Sequence, residues 1–229
     1  MAVTKGKITA IKAGKNPALR RSNVFLNGRY AFSLDDSLIT SESLQIGREL
    51  TEDEVSRLMQ ADLARRCYDA ALRLISLRPR SEKEIRDRLT RRGFAPADVE
   101  STVNRLKESN LINDEEFARF WIENRETFKP RSRRLLKQEL RSKGLDTALI
   151  SGMTGELDEG EAAYRAGLAK ARSLRHTDYS VFRQKLGGYL QRRGFSYNMI
   201  NSVVRRLWQE TASDPAQETT NAVEDEPPE

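Results

Sequence analysis

Two runs of seven Lys and Arg side chains are the residues of this chain whose type and spacing could do chemistry. Arg78, Arg80, Lys83, Arg86, Arg88, Arg91 and Arg92 stand against three acids, and Lys129, Arg131, Arg133, Arg134, Lys137, Arg141 and Lys143 against Glu139 alone. A smaller group, Arg183, Lys185, Arg192 and Arg193, has no acid between Tyr179 and Phe195. Such runs attract phosphate or carboxylate polyanions, whereas a solvated helix face is the bland reading of any one of them. The other reactive residues point away from catalysis. His176, the single histidine, reads as an imidazole meeting a helix C-terminus. Cys67, the single cysteine, sits on an apolar stripe and reads as a core thiol, and one cysteine allows no internal disulfide. Ala13-Gly14-Lys15-Asn16 lacks the leading glycine and closing Ser/Thr of a phosphate loop. Asp114-Glu115-Glu116 reads as first-turn acid at a helix N-terminus, and Trp121 and Trp208 as core rings. No catalytic residue, metal or cofactor is expected, so the function should be binding.

Charge is unevenly spread. The formal net charge is +6, but residues 211–229 hold six acids and no base, which leaves 40 basic against 28 acidic residues, a net +12, on the rest. That body should draw polyanions, and the acidic segment, poor in large apolar groups, should be a disordered tail. Charged residues make up 32% of the chain, more than a thick-cored enzyme carries and suited to a thin array. No apolar run approaches the roughly 20 residues of a membrane span, and the opening MAVTKGKITAIKAGK lacks a secretory h-region. A reducing cytoplasm is expected.

The elements that position the bases announce themselves by a repeat. Leu-x-x-(Arg/Lys)-Gly-(Phe/Leu) occurs at Leu89–Phe94, Leu140–Leu145 and Leu190–Phe195, and apolar residues recur at matched offsets around each glycine: Ile85, Leu136 and Leu186 before, Val99, Ile150 and Ile200 after. A period of about 50 residues fits several helices per copy, stacked in tandem. Gly93, Gly144 and Gly194 read as structural caps in the left-handed conformation, with the Leu and the following Phe or Leu in the hydrophobic contact of a Schellman motif. The sharper alternative exposes Phe94 and Phe195 for stacking on bases. Thr51-x-x-Glu54, Ser81-x-x-Glu84 and Asn113-x-x-Glu116 are capping signals that open further helices. Before them, Asn27-Gly28 between Val24/Leu26 and Phe32/Leu34 predicts a hairpin within a three-strand module. The expected fold is mostly α: three tandem three-helix units (51–110, 111–157, 158–210) forming an elongated curved array. A small β module (1–50) precedes them and the acidic tail (211–229) follows. The basic run is the middle helix of each unit.

Several blocks in order resemble the RecX family of regulators of the RecA recombinase: RPRSEKEIR at 78–86, RRGF at 91–94, LINDEEFA at 111–118, KPRSRRLLKQELRSKG at 129–144 and RRGFSY at 192–197. The resemblance covers roughly residues 60–208 and is weaker over the first fifty. It implies a cytoplasmic bacterial protein without enzymatic activity of its own. It further implies binding in the groove of the RecA–single-stranded-DNA filament, modulating strand exchange and ATP hydrolysis in DNA repair, recombination and the SOS response. By motif position it carries binding onto Arg78, Arg80, Arg131, Arg133, Arg134, Lys137, Arg141 and Lys143. Arg88, Arg91, Arg92, Lys129, Arg192 and Arg193 complete the expected surface of a monomer that needs no membrane. Composition alone supports a different reading, a sequence-independent DNA-binding helical repeat protein.

Overall fold

Alternating apolar residues on either side of Asn27-Gly28 build a hairpin, because side chains two apart share a face. The computed structural model describes residues 5–16 and 20–212, in two compact units that divide between Ile112 and Asn113. In the first, β2 (Arg21–Leu26) and β3 (Arg29–Asp35) pair antiparallel, with Asn27 and Gly28 at φ 49° and 79° as a type I′ turn requires. β1 (Gly6–Ala13) lies beside β2 and also pairs, through Gly6 and Lys7, with β4 (Glu49–Leu50). The sheet therefore has four strands, β3-β2-β1-β4, where three were expected. A two-residue strand is too short to show a period. The six-residue helix α1 (Asp36–Ser41), capped by the Asp35 carboxylate, is likewise too brief to announce itself.

Thr51 and Glu54 form the reciprocal capping box that opens α2 (Glu52–Ile75). This helix serves two cores. Val55 and Leu58 close the sheet's core with Ile8, Val24, Leu26, Phe32 and Leu34, whereas Cys67, Ala70, Ala71 and Leu74 join the core of the first triplet. Between the two, apolar periodicity misplaces one residue. In the sequence Val55, Leu58, Leu63, Cys67, Ala71, Leu74 and Ile75 keep roughly helical spacing, which expects Leu63 inward. It is 42% exposed, and the inward position four residues beyond Leu58 belongs to Asp62, only 4% exposed. Its carboxylate accepts two hydrogen bonds from the Arg21 guanidinium, at 2.9 and 2.8 Å, and one from the Asp35 N–H at 3.0 Å. A buried carboxylate is tolerable here because an opposite charge and a backbone donor satisfy it.

α3 (Glu82–Arg91) and α4 (Pro96–Glu108) complete the first triplet, around Ile85, Leu89, Val99, Val103 and Leu106. The second unit holds two triplets. The first comprises α5 (Asp114–Phe128), α6 (Arg133–Ser142) and α7 (Thr147–Thr154), and the next comprises α8 (Glu159–Arg172), α9 (Tyr179–Arg192) and α10 (Tyr197–Ala212). Ser81, Asn113, Ser132, Asp146 and Asp158 each accept a backbone N–H as N-caps. The three glycines close α3, α6 and α9 at φ 85°, 89° and 85°. Each makes both Schellman bonds, as in Phe94 N–H to Leu89 O and Gly93 N–H to Thr90 O. Phe195 and Leu145 are buried and Phe94 half-buried against its triplet's core, so Phe195 presents no ring face for a base. α7 is the short member. Glycines at 152 and 155 end it before Leu157, which is only half-buried, unlike its counterparts Leu106 and Leu207. The acidic tail lies, from residue 213, outside the described residues.

Candidate functional site

A helix that packs one face on a core and carries seven nearby bases must divide them between structure and solvent. α6 shows the division most clearly. Leu136 and Leu140 point into the core, and Arg134, Lys137 and Arg141, at i, i+3 and i+7, share another face. Arg134 and Arg141 are exposed and Lys137 half-exposed, and none has a carboxylate partner among the described residues. Lys129, just before the helix, is also exposed. The remaining bases of the run are held. Arg131 donates to Glu139 at 2.6 Å, and Glu139 also accepts from Arg125 at 2.7 Å and from the Trp121 indole at 2.8 Å. The Lys143 ammonium lies 4.8 Å from the Trp121 ring centroid. Arg133 donates to the Leu157 carbonyl at 2.7 Å, and its own N–H donates to Glu159 at 3.2 Å. The bond to Glu159, the first residue of α8, joins the second triplet to the third.

The other two middle helices divide in the same way. Arg80 is 7% exposed and donates to the Leu74 carbonyl at 2.8 Å; burial, with the charges of Arg78 and Arg88, pulls its guanidinium below the ordinary value. The interior is where the fold places Arg80, not the binding surface expected of it. Arg78 pairs with Glu84 at 3.0 Å, Lys83 with Asp87 at 2.8 Å, and Arg86 with Glu82 and Glu100. Arg88 and Arg92 are exposed without a carboxylate partner, and Arg91 is exposed with its Nε donating to the Asp87 carbonyl. On α9, Arg192 is exposed, but Arg193 folds over Tyr189 and donates to its hydroxyl at 2.6 Å and to the Pro130 carbonyl at 3.3 Å. The Arg193 carbonyl in turn accepts the Ser132 N–H at 2.9 Å. Arg193 and Arg133 thus act as struts between triplets.

Of fourteen expected binding residues, Arg88, Arg91, Arg92, Lys129, Arg134, Lys137, Arg141 and Arg192 reach solvent with charge to spare, and Arg78, Arg80, Arg131, Arg133, Lys143 and Arg193 are engaged by the protein itself. Outside the basic runs, Arg66 and Arg73 of α2 are also exposed without a carboxylate partner among the described residues; their i, i+7 spacing on one helix face was the available signal. Cys67 is buried, which pushes its thiol up, as a core residue's should be. No group of His, Cys, Asp or Glu among the described residues could hold a metal ion, and no helix of theirs is long and apolar enough to cross a membrane.

Four family models match the chain in order: the regulatory protein RecX N-terminal domain over residues 6–51, and the first, second and third three-helix domains of RecX over 67–106, 113–152 and 158–204. The regulatory protein RecX of Clostridium perfringens strain SM101 is 30% identical over 207 residues, 88% of this chain and 96% of its own. That of Bacillus subtilis strain 168 is 27% identical, over 92% of this chain and 81% of its own. A crystal structure of a regulatory protein RecX superposes with a TM-score of 0.61 at 26% identity, covering 86% of this chain and 98% of that one.

Proposed function

The chain belongs to the RecX family, and from that premise we propose that it binds the RecA–single-stranded-DNA filament and modulates RecA's recombinase and ATPase activities, inhibition being the expected direction. It acts as a cytoplasmic regulator in DNA repair, recombination and the SOS response, as a monomer, without a cofactor and by binding rather than catalysis. The observation that supports this reading best is the uncompensated face Arg134, Lys137 and Arg141 on α6. Charges that a fold needs for itself are paired, as Arg131 and Arg133 are; charges left unpaired at helical spacing are available to a polyanionic partner.

Titrating the protein against bare single-stranded DNA and against the same DNA coated with RecA tests the reading. A filament regulator binds the coated strand more tightly and changes its ATP turnover. Equal or weaker binding to the coated strand supports instead a DNA-binding protein that reads phosphates alone.

A further inference from the structure

A cleft of 580 Å³ opens in the first unit where β2, β3, α2 and the end of α3 meet. Five of its nine lining residues are arginines: Arg21, Arg65, Arg66, Arg73 and Arg92. The fold uses two of them. Arg21 is bound to Asp62, and Arg65 pairs with Asp35 at 3.2 Å and Asp69 at 3.9 Å. Those pairs consume both acids of the lining. Burial works against the Asp35 charge, yet hydrogen bonds from Ser37 and the charges of Arg65 and Arg21 hold its carboxyl below the usual range. Arg66, Arg73 and Arg92 remain, all exposed and none with a carboxylate partner among the described residues.

The cleft is preformed. The Asp62 carboxylate accepts from Arg21 of β2 and from the Asp35 N–H at the end of β3, which ties the sheet to α2 beside the cleft. Arg66 and Arg73 lie seven residues apart, roughly 10 Å along α2. That spread suits a ligand carrying several phosphates better than a single free ion. Guanidinium forks match phosphate oxygens two at a time. Phe94, half-buried beside Arg92 and fixed by the Gly93 cap, also lines the cleft and brings an aromatic ring to it, the side-chain type against which bases pack. An acidic peptide would use the charge but not the ring.

We propose that this cleft is a second nucleic-acid site, in which Arg66, Arg73 and Arg92 hold consecutive phosphodiesters of a single strand. It deepens the regulatory reading and rests on it for the source of that strand. The test uses the full chain and a fluorescent oligothymidylate, without RecA, with anisotropy read between about 50 and 200 mM salt. Replacing all three by glutamine (R66Q/R73Q/R92Q) should weaken binding at least about tenfold at low salt. It should also reduce the slope of log affinity against log salt by about 2, since each single-strand phosphate contact contributes about 0.7. The R66K/R73K/R92K variant should keep the slope. An unchanged slope, a parent chain with no affinity for the oligonucleotide, or an equal loss of polyglutamate binding would each overturn the proposal. RecA-dependent ATP hydrolysis, measured on the same glutamine variant, separates the two ideas. If the slope is unchanged while regulation persists, the cleft alone is refuted.

Discussion

A β-carbon at positive φ crowds the following carbonyl, so the residue that closes α3, α6 or α9 is free of strain only as glycine. Gly93→Ala and Gly144→Ala should each cost about 1–2 kcal/mol, read as a lower denaturant midpoint with unchanged slope. Gly194→Ala should cost more. Its β-carbon would stand 2.5 Å from Ser132 Oγ and 2.6 Å from Leu135 Cγ, whereas the space around Gly93 is open. Equal losses at 93 and 194 would mean that the third triplet does not rest on α6 through this glycine. The role of these glycines was legible in the sequence, because a cap is local: the leucine, the base, the glycine and the next apolar residue lie within six positions. The roles of individual arginines were not. Arg133 and Arg134 are equivalent to a count of charges, yet one donates to the Leu157 carbonyl and the other faces solvent. Only the return of the α7–α8 connection past the start of α6 separates them.

At the scale of elements, α2 couples the sheet to the first triplet, and its polar clamp is its point of failure. Asp62→Ala would leave the buried side of Arg21 and the Asp35 N–H without their acceptor. The loss should be about 3 kcal/mol, the lower end for a broken buried pair because Arg21 keeps some solvent contact. Asp62→Ala and Arg21→Ala combined should cost far less than the sum of the two, which a double-mutant cycle on thermal unfolding would show. Additive losses would mean that the clamp does not hold the sheet. Apolar periodicity could not find this residue, because it seeks an apolar group at every inward position and took Leu63. Helices with a cap and a stripe were readable throughout, whereas β4 takes its identity from pairing with Gly6 and Lys7, more than forty positions away. The shortness of α7 follows from two glycines that apolar spacing does not weigh.

The whole molecule is a basic body of net +12 with an acidic end. Truncation after Ala212, the last residue of α10, removes all six acids of that end and leaves every described helix intact. Binding to single-stranded DNA should tighten at low salt, and the gain should fade toward physiological salt, where the Debye length is about 8 Å. A truncated chain with parental affinity at low salt would show that the acids do not compete for the basic faces. Under the proposed filament binding, patches on different triplets should each bind weakly and linkage should raise their effective concentration, so losing one patch should cost more in the intact chain than its own contacts suggest.

Regulation of RecA through the free face of α6 is tested most directly by reversing that face alone. The variant Arg134→Glu, Lys137→Glu, Arg141→Glu leaves Arg131 and Arg133 with their partners and so preserves the joint between triplets. The measurement is RecA's DNA-dependent ATP hydrolysis across a titration of the full chain, with helicity checked by circular dichroism. The folded variant should require about tenfold more protein for the same effect, a larger shift than reversing Arg183, Lys185 and Arg192 produces on α9. A folded variant whose titration overlays the parent's would contradict it.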